Sequence, residues 1–272
     1  MRRRSVTAIL VIAFFLGLVL LIYPSFSDWY NRFHQGRVVL QYAEQASKIP
    51  EEQAEEMKQA AVAYNEKLAE RGINWEPTDE ELKVYKELLD VDGGVMAYIE
   101  IPKINVMLPI YHGTSDEVLQ RSIGHIEGSS LPVGGESTHC LLSGHRGLPS
   151  ARLFTDLDRL QPGDIFIIRT LNDVLTYEVE RINEVKPHDL SLVTIKKGKD
   201  LCTLITCTPY GINTHRLLVR GHRITTAKEA IRIVPADALQ VEPRLIAIGF
   251  AMPALLALAL TVLLKKRKMN PD

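Results

Sequence analysis

Two charge-free apolar stretches, one near each end of this 272-residue chain, constrain everything between them. No charged residue occurs from Ser5 to Ser27, residues 6–23 are almost wholly apolar, and Arg2, Arg3 and Arg4 stand in front. Residues 245–264 are uncharged and run into Lys265, Lys266, Arg267 and Lys268. About 20 apolar residues in a helix cross a bilayer core, and Gly249 and Pro253 are tolerated in such helices. A cleaved signal peptide would have a shorter apolar region of about 7–15 residues and a small-x-small site. The first stretch is longer, and Ser25-Phe26-Ser27 imitates that site weakly, so a retained signal anchor is expected. The alternative for the second stretch is a buried helix, but its abrupt basic stop favours a span. Basic flanks stay in the cytoplasm. The expectation is therefore a two-pass membrane protein with both termini cytoplasmic and residues 28–244 outside the cell.

Composition excludes several classes. The 32 Lys and Arg against 33 Asp and Glu leave a net charge of −1, with no electrostatic case for nucleic acid. Three cysteines without C-x-x-C spacing suggest neither a disulfide framework nor a zinc ribbon. Cys140 and Cys202 lie in apolar runs and read as small buried hydrophobes. His139, Cys140, His145, Cys202 and Cys207 lack ligand-like spacing for a metal. No G-x-S-x-G elbow suggests a serine hydrolase.

Between the two apolar ends the pattern changes once. Residues 28–71 read as helix interrupted at Pro50, with Glu51 and Glu52 placed to suit a helix N-terminus. Ala54, Met57, Ala61, Tyr64 and Leu68 recur at helical spacing, and Gly72 ends the segment. Its polar remainder suggests an arm leading away from the membrane. Asn74-Trp75-Glu76-Pro77 is a break, and Thr78-Asp79-Glu80-Glu81 looks like the capped start of a short helix to Leu89. Asp92-Gly93-Gly94 marks the boundary of a domain spanning 95–226. There, short apolar runs at 95–101, 105–110, 139–143, 165–170, 174–185, 201–207 and 215–224 alternate with turn residues. That spacing suggests a closed barrel or a sandwich. Short helices are expected at 115–121 and 151–157. Residues 227–244 form a juxtamembrane linker, and 245–272 the second span and its basic tail.

One cysteine has chemistry written around it. Cys207 ends the strand-like run Thr203-Leu204-Ile205-Thr206-Cys207, and Thr208-Pro209-Tyr210-Gly211 breaks that run. A thiol at a strand end facing a loop is rigid yet reachable, which suits a nucleophile. His145, in Ser143-Gly144-His145-Arg146-Gly147, is a candidate acid and base; a surface-loop histidine is the bland alternative. Arg216 opens the strand that returns after Cys207, where a guanidinium can stabilise an oxyanion. Alternation puts Arg220 on the same face but farther from the loop, and points His215 away. His139 reads as structural.

These motifs, together with Asn213-Thr214-His215-Arg216-Leu217, Tyr98-Ile99-Glu100-Ile101-Pro102-Lys103-Ile104 and Leu108-Pro109-Ile110-Tyr111-His112-Gly113-Thr114, resemble the sortases, and specifically the pilin-polymerising class C. The resemblance is close over about 95–225. It implies an eight-stranded, mainly β barrel with a helical arm, flanked by the two spans. It also implies a cysteine transpeptidase with Cys207, His145 and Arg216 as catalytic residues and no cofactor. The substrates would be pilins and surface proteins with LPXTG-like sorting signals, a pilin lysine acting as acceptor at a Gram-positive surface. A housekeeping-type sortase that attaches proteins to wall precursor, or a non-catalytic tethered binding module, are the alternatives. The Asp-Pro-aromatic lid of many class C members has no counterpart between Gly72 and Gly94; only Trp75-Glu76-Pro77 comes near it.

Overall fold

Helical periodicity gives way to short β runs after Gly94, and the structure follows that change. The computed structural model describes residues 2–91 and 93–226; the linker expected at 227–244 and the second span at 245–264 lie outside the described residues. Helix α1 (Arg2–Lys48) runs on past Pro24. Its first half is apolar all round, with Ile12 and Leu21 67% and 77% exposed. A helix with no polar face needs lipid or a protein interior around it. Among the described residues this is the one helix long and apolar enough to cross a membrane.

Pro50 separates α1 from α2 (Glu51–Arg71), which starts with Glu51 and Glu52. Helix α3 (Asp79–Glu87) begins at Thr78, whose hydroxyl and the Glu81 carboxylate cap each other's backbone N–H groups. The arm is not the free spacer that its polar surface suggests. The Tyr42 hydroxyl of α1 donates to the Met96 carbonyl at 2.9 Å and accepts from the Leu171 N–H at 2.9 Å. Asn65 of α2 donates to the Leu131 carbonyl at 3.1 Å and accepts from its N–H at 2.7 Å. Tyr85 of α3 lies 2.9 Å from His125 Nδ1, and burial raises its hydroxyl well above the ordinary tyrosine range. Each helix therefore spends a few buried side chains on the barrel wall, while the polar remainder of the arm past the apolar stretch stays wet.

Eight strands among the described residues close the barrel: β1 (Val95–Ile101), β2 (Val106–His112), β3 (Ile123–His125), β4 (Thr138–Gly144), β5 (Ile165–Thr170), β6 (Asp173–Val185), β7 (Asp200–Thr208) and β8 (His215–Ile224). Their order around the wall is β1-β2-β3-β4-β7-β8-β6-β5. The β2–β3 and β4–β7 pairs are parallel and the others antiparallel. Alternate residues fill the interior, among them Ile99, Leu142, Leu204 and Val219, and the Phe166 and Tyr177 rings stack there at 5.4 Å. Cys140 and Cys202 are direct partners on β4 and β7 and belong to this core.

Helix α4 (Asp116–Arg121), capped by Ser115, fits the expectation for 115–121. The helix expected at 151–157 does not form. Ala151, Leu153, Phe154 and Leu157 are buried while Arg152 is exposed, but Leu153 takes a positive φ of 39°, which no right-handed helix includes. Instead the Phe154 N–H donates to the His145 carbonyl at 3.2 Å, and only a 3-10 turn follows at Leu157–Arg159. Strand β3 leaves no signal in the sequence, because three residues with a central glycine show no alternation.

Candidate active site

The turn after β7 decides what lies together. The Ile212 and Asn213 N–H groups both return to the Pro209 carbonyl, at 3.1 and 3.0 Å, with Gly211 and Asn213 at positive φ. Strand β8 therefore comes straight back along β7, and Cys207 and Arg216 become direct antiparallel partners. Both side chains point outward, on the face shared with Ile205 and Leu218, and both are partly exposed. Arg216 Nη1 donates to the His215 carbonyl at 3.2 Å and to the Asn213 carbonyl at 3.4 Å, which turns the guanidinium toward the loop.

Strand β4 lies on the other side of β7, with Ser143 opposite Ile205. His145 and Cys207 each stand two residues beyond that pair, so the parallel register carries them to the same barrel end. The Thr206 hydroxyl ties the two strands together by donating to the Gly144 carbonyl at 2.7 Å. Gly144 has no alternative: a Cβ there would sit 2.7 Å from Ile123 Cγ2 and 2.8 Å from Phe154 Cδ2. Gly147, at φ +78°, lets the Tyr210 ring close to 3.0 Å from where its Cβ would be.

Arg146, next to His145, was passed over in the sequence because nothing local distinguishes it. It is nearly buried, ion-paired with Asp158, and its Nη1 donates to Thr208 Oγ1 at 3.3 Å. Its guanidinium lies 6.0 Å from the Tyr210 ring centre. It thus cross-links the His145 loop to the residue after Cys207.

Outside the barrel, Leu141, Val185, Val193 and Leu218 form an apolar patch with Ile205, Leu192, Ile126 and Ile73 at its edges. It starts two residues from Cys207 and from Arg216, and the β6–β7 loop lies over it. Ile73, rather than Trp75, is the side chain that the 73–77 segment contributes to it. The loop is held from below. His139 Nδ1 lies 2.8 Å from the Thr194 carbonyl and its Nε2 2.7 Å from Thr203 Oγ1. Arg220 Nε donates to Glu180 at 2.6 Å and its Nη1 reaches the Leu192 carbonyl at 3.5 Å. Arg220 shares the outer face with Arg216 but is already committed to these partners, and His139 is structural. Burial pushes the His139 imidazole down to about 4, so it is neutral at physiological pH.

The structure is a closed barrel that sets a strand-end thiol beside an arginine, with a histidine just past the end of the adjoining strand, the arrangement of a thiol-bearing site at one end of a β-barrel. The sortase domain model matches residues 99–224, and the chain belongs to the sortase family. Sortase C1 of Streptococcus agalactiae is 52% identical, with a TM-score of 0.69 over 70% of this chain and 100% of that one. Sortase C of Streptococcus pneumoniae is 41% identical, with a TM-score of 0.62 over 70% of this chain and 97% of that one. Among curated relatives, sortase D of Bacillus subtilis is 32% identical over 136 residues, 49% of this chain and 66% of that protein. The match spans about two thirds or less of the length of such relatives. The solved neighbours are mostly class C sortases.

Proposed function

We propose that this chain is a membrane-anchored, pilin-polymerising sortase in which Cys207, His145 and Arg216 carry the reaction. Cys207 Sγ attacks the threonine carbonyl carbon of an LPXTG-like signal. The carbon–sulfur bond forms, the Thr–Gly bond breaks, and His145 hands a proton to the leaving amine. The tetrahedral oxyanion is met by the Arg216 guanidinium. A pilin lysine ε-amine then attacks the thioester, gives its proton to His145, and leaves an isopeptide bond with Cys207 restored. Neither oxidant nor cofactor enters this balance.

The observation that carries the reading is the direct Cys207–Arg216 pairing at the barrel end where β4 delivers His145. It is supported by 52% identity to a sortase C1, and the pneumococcal sortase C is described for its pilin substrate specificity. We also infer that both termini are cytoplasmic. The test is mass spectrometry of products formed by the full-length protein from a sorting-signal protein with pilin or wall precursor as acceptor. A lysine isopeptide and a Cys207 thioester are expected, both lost in Cys207→Ala. Unchanged turnover in that variant refutes the mechanism, and exclusive use of wall precursor favours the housekeeping type.

A further inference from the structure

Helix α1 fixes which end of the barrel meets the membrane. Asp28 Oδ1 accepts from the Arg152 N–H at 2.8 Å, and Asn31 Nδ2 donates to the Ser150 carbonyl at 2.8 Å. Gln35 then donates to the Arg121 carbonyl at 2.7 Å, while Tyr42 has reached Met96 and Leu171. Arg121 precedes β3, whose first residue pairs with Gly144 at the active-site end. Met96 and Leu171 belong to the opposite end. So α1 leaves its apolar stretch at the His145–Cys207 end and climbs away from it.

The heights match. Asn31 stands four residues past Ser27, about 6 Å along a helix axis. The headgroup layer on each side of a hydrocarbon core is about 5–8 Å thick. Ser150 is therefore at headgroup level, and Gly147, against which the Tyr210 ring rests, is three residues and at most about 10 Å away. The loop that joins Cys207 to Arg216 carries two of the most exposed large apolar side chains outside the span, Tyr210 at 61% and Ile212 at 68%. An aromatic with a polar tip beside an aliphatic is what a bilayer interface takes up.

We propose that the 209–213 loop docks in the membrane interface, seating Tyr210 and Ile212 among lipid headgroups and upper acyl chains. This rests on α1 being a membrane anchor. The loop is a second contact that holds Cys207 at the height where a membrane-held sorting signal leaves the bilayer. Because Cys207 and Arg216 flank this loop, docking also orients the two side chains with respect to the surface.

The test uses the full chain in phosphatidylcholine–phosphatidylglycerol vesicles, with and without brominated acyl chains. Trp29, just past the apolar stretch, reports anchoring in the parent. Ile212→Trp, with Tyr210→Trp as a second reporter, reports the loop, and Val84→Trp on exposed α3 marks the far end. Added fluorescence from position 212 or 210 should be quenched by brominated lipid about twofold or more, and that from position 84 not at all. Quenching of Trp29 without quenching at 210 and 212 overturns the docking proposal and leaves the anchor standing. No quenching at any of these positions overturns the anchor as well. A loop signal that ignores lipid and responds only to added pilin reassigns the surface to a protein partner and overturns the proposal.

Discussion

His139 ties the β6–β7 loop to the barrel by a bond geometry that only the neutral ring satisfies without a buried charge. Nδ1 faces a carbonyl oxygen at 2.8 Å and so carries the proton, while Nε2 accepts from Thr203 Oγ1 at 2.7 Å. Burial lowers the imidazole from 6.5 to about 4, and nearby Arg220 and Lys196 add to the effect. Between those values the unfolded chain takes up a proton that the folded chain refuses. Stability due to this group is therefore intact above pH 6.5 and is lost as the pH falls towards 4. Each pH unit costs about 1.4 kcal/mol, which gives about 3 kcal/mol over the full window. For a domain of this size that is about 6–12 °C in Tm. The assay is urea or thermal unfolding of the detergent-solubilised protein from pH 7 to 4, with His139→Gln alongside. Burial also lowers His112, and it raises Asp200 with the opposite pH dependence, but both contribute equally to the two proteins. The difference between them isolates His139. The parent should lose the extra stability and the variant should not; identical pH slopes would refute the assignment of a neutral buried ring.

Three further outcomes are expected. Gly144→Ala should lower stability by about 1–3 kcal/mol, because its Cβ would press on Ile123 and Phe154; it should also slow turnover by moving His145, and an unchanged Tm would contradict the packing. Arg216→Lys keeps the charge but loses the fork, so kcat/KM should fall about 10²-fold or more with stability within about 0.5 kcal/mol; undiminished turnover would remove Arg216 from the reaction. Asn65→Ala removes the partner of the Leu131 N–H and one of the two donors to its carbonyl, which keeps the Val133 N–H at 2.8 Å, and should cost about 1–3 kcal/mol, read as a lower midpoint in urea; a neutral result would mean that α2 contributes little to holding the barrel.

What the sequence determined by itself is local. The all-apolar run at 6–23 makes a helix that demands lipid, and Pro50, Glu51 and the Thr78–Glu81 pair place helix starts, because these effects act within a turn of chain. Seven of the eight strands announce themselves by β-rich runs between turn residues. The Cys207–Arg216 pairing was legible too, since a tight loop after Pro209 leaves a returning strand little choice of register. The tertiary structure decided the rest. Nothing near His145 says that β4 will lie parallel to β7, a contact between segments some sixty residues apart, and only that contact brings the imidazole to the thiol's end of the barrel. The same holds for Arg146, whose role exists only through Asp158 and Thr208, and for residues 151–157, where Leu153 turns to positive φ and the Phe154 N–H goes to the His145 carbonyl instead of along a helix. The placement of the active-site end beside the apolar helix is non-local in the same way. It depends on Asp28 and Asn31 meeting Arg152 and Ser150 across more than a hundred residues, which no periodicity records.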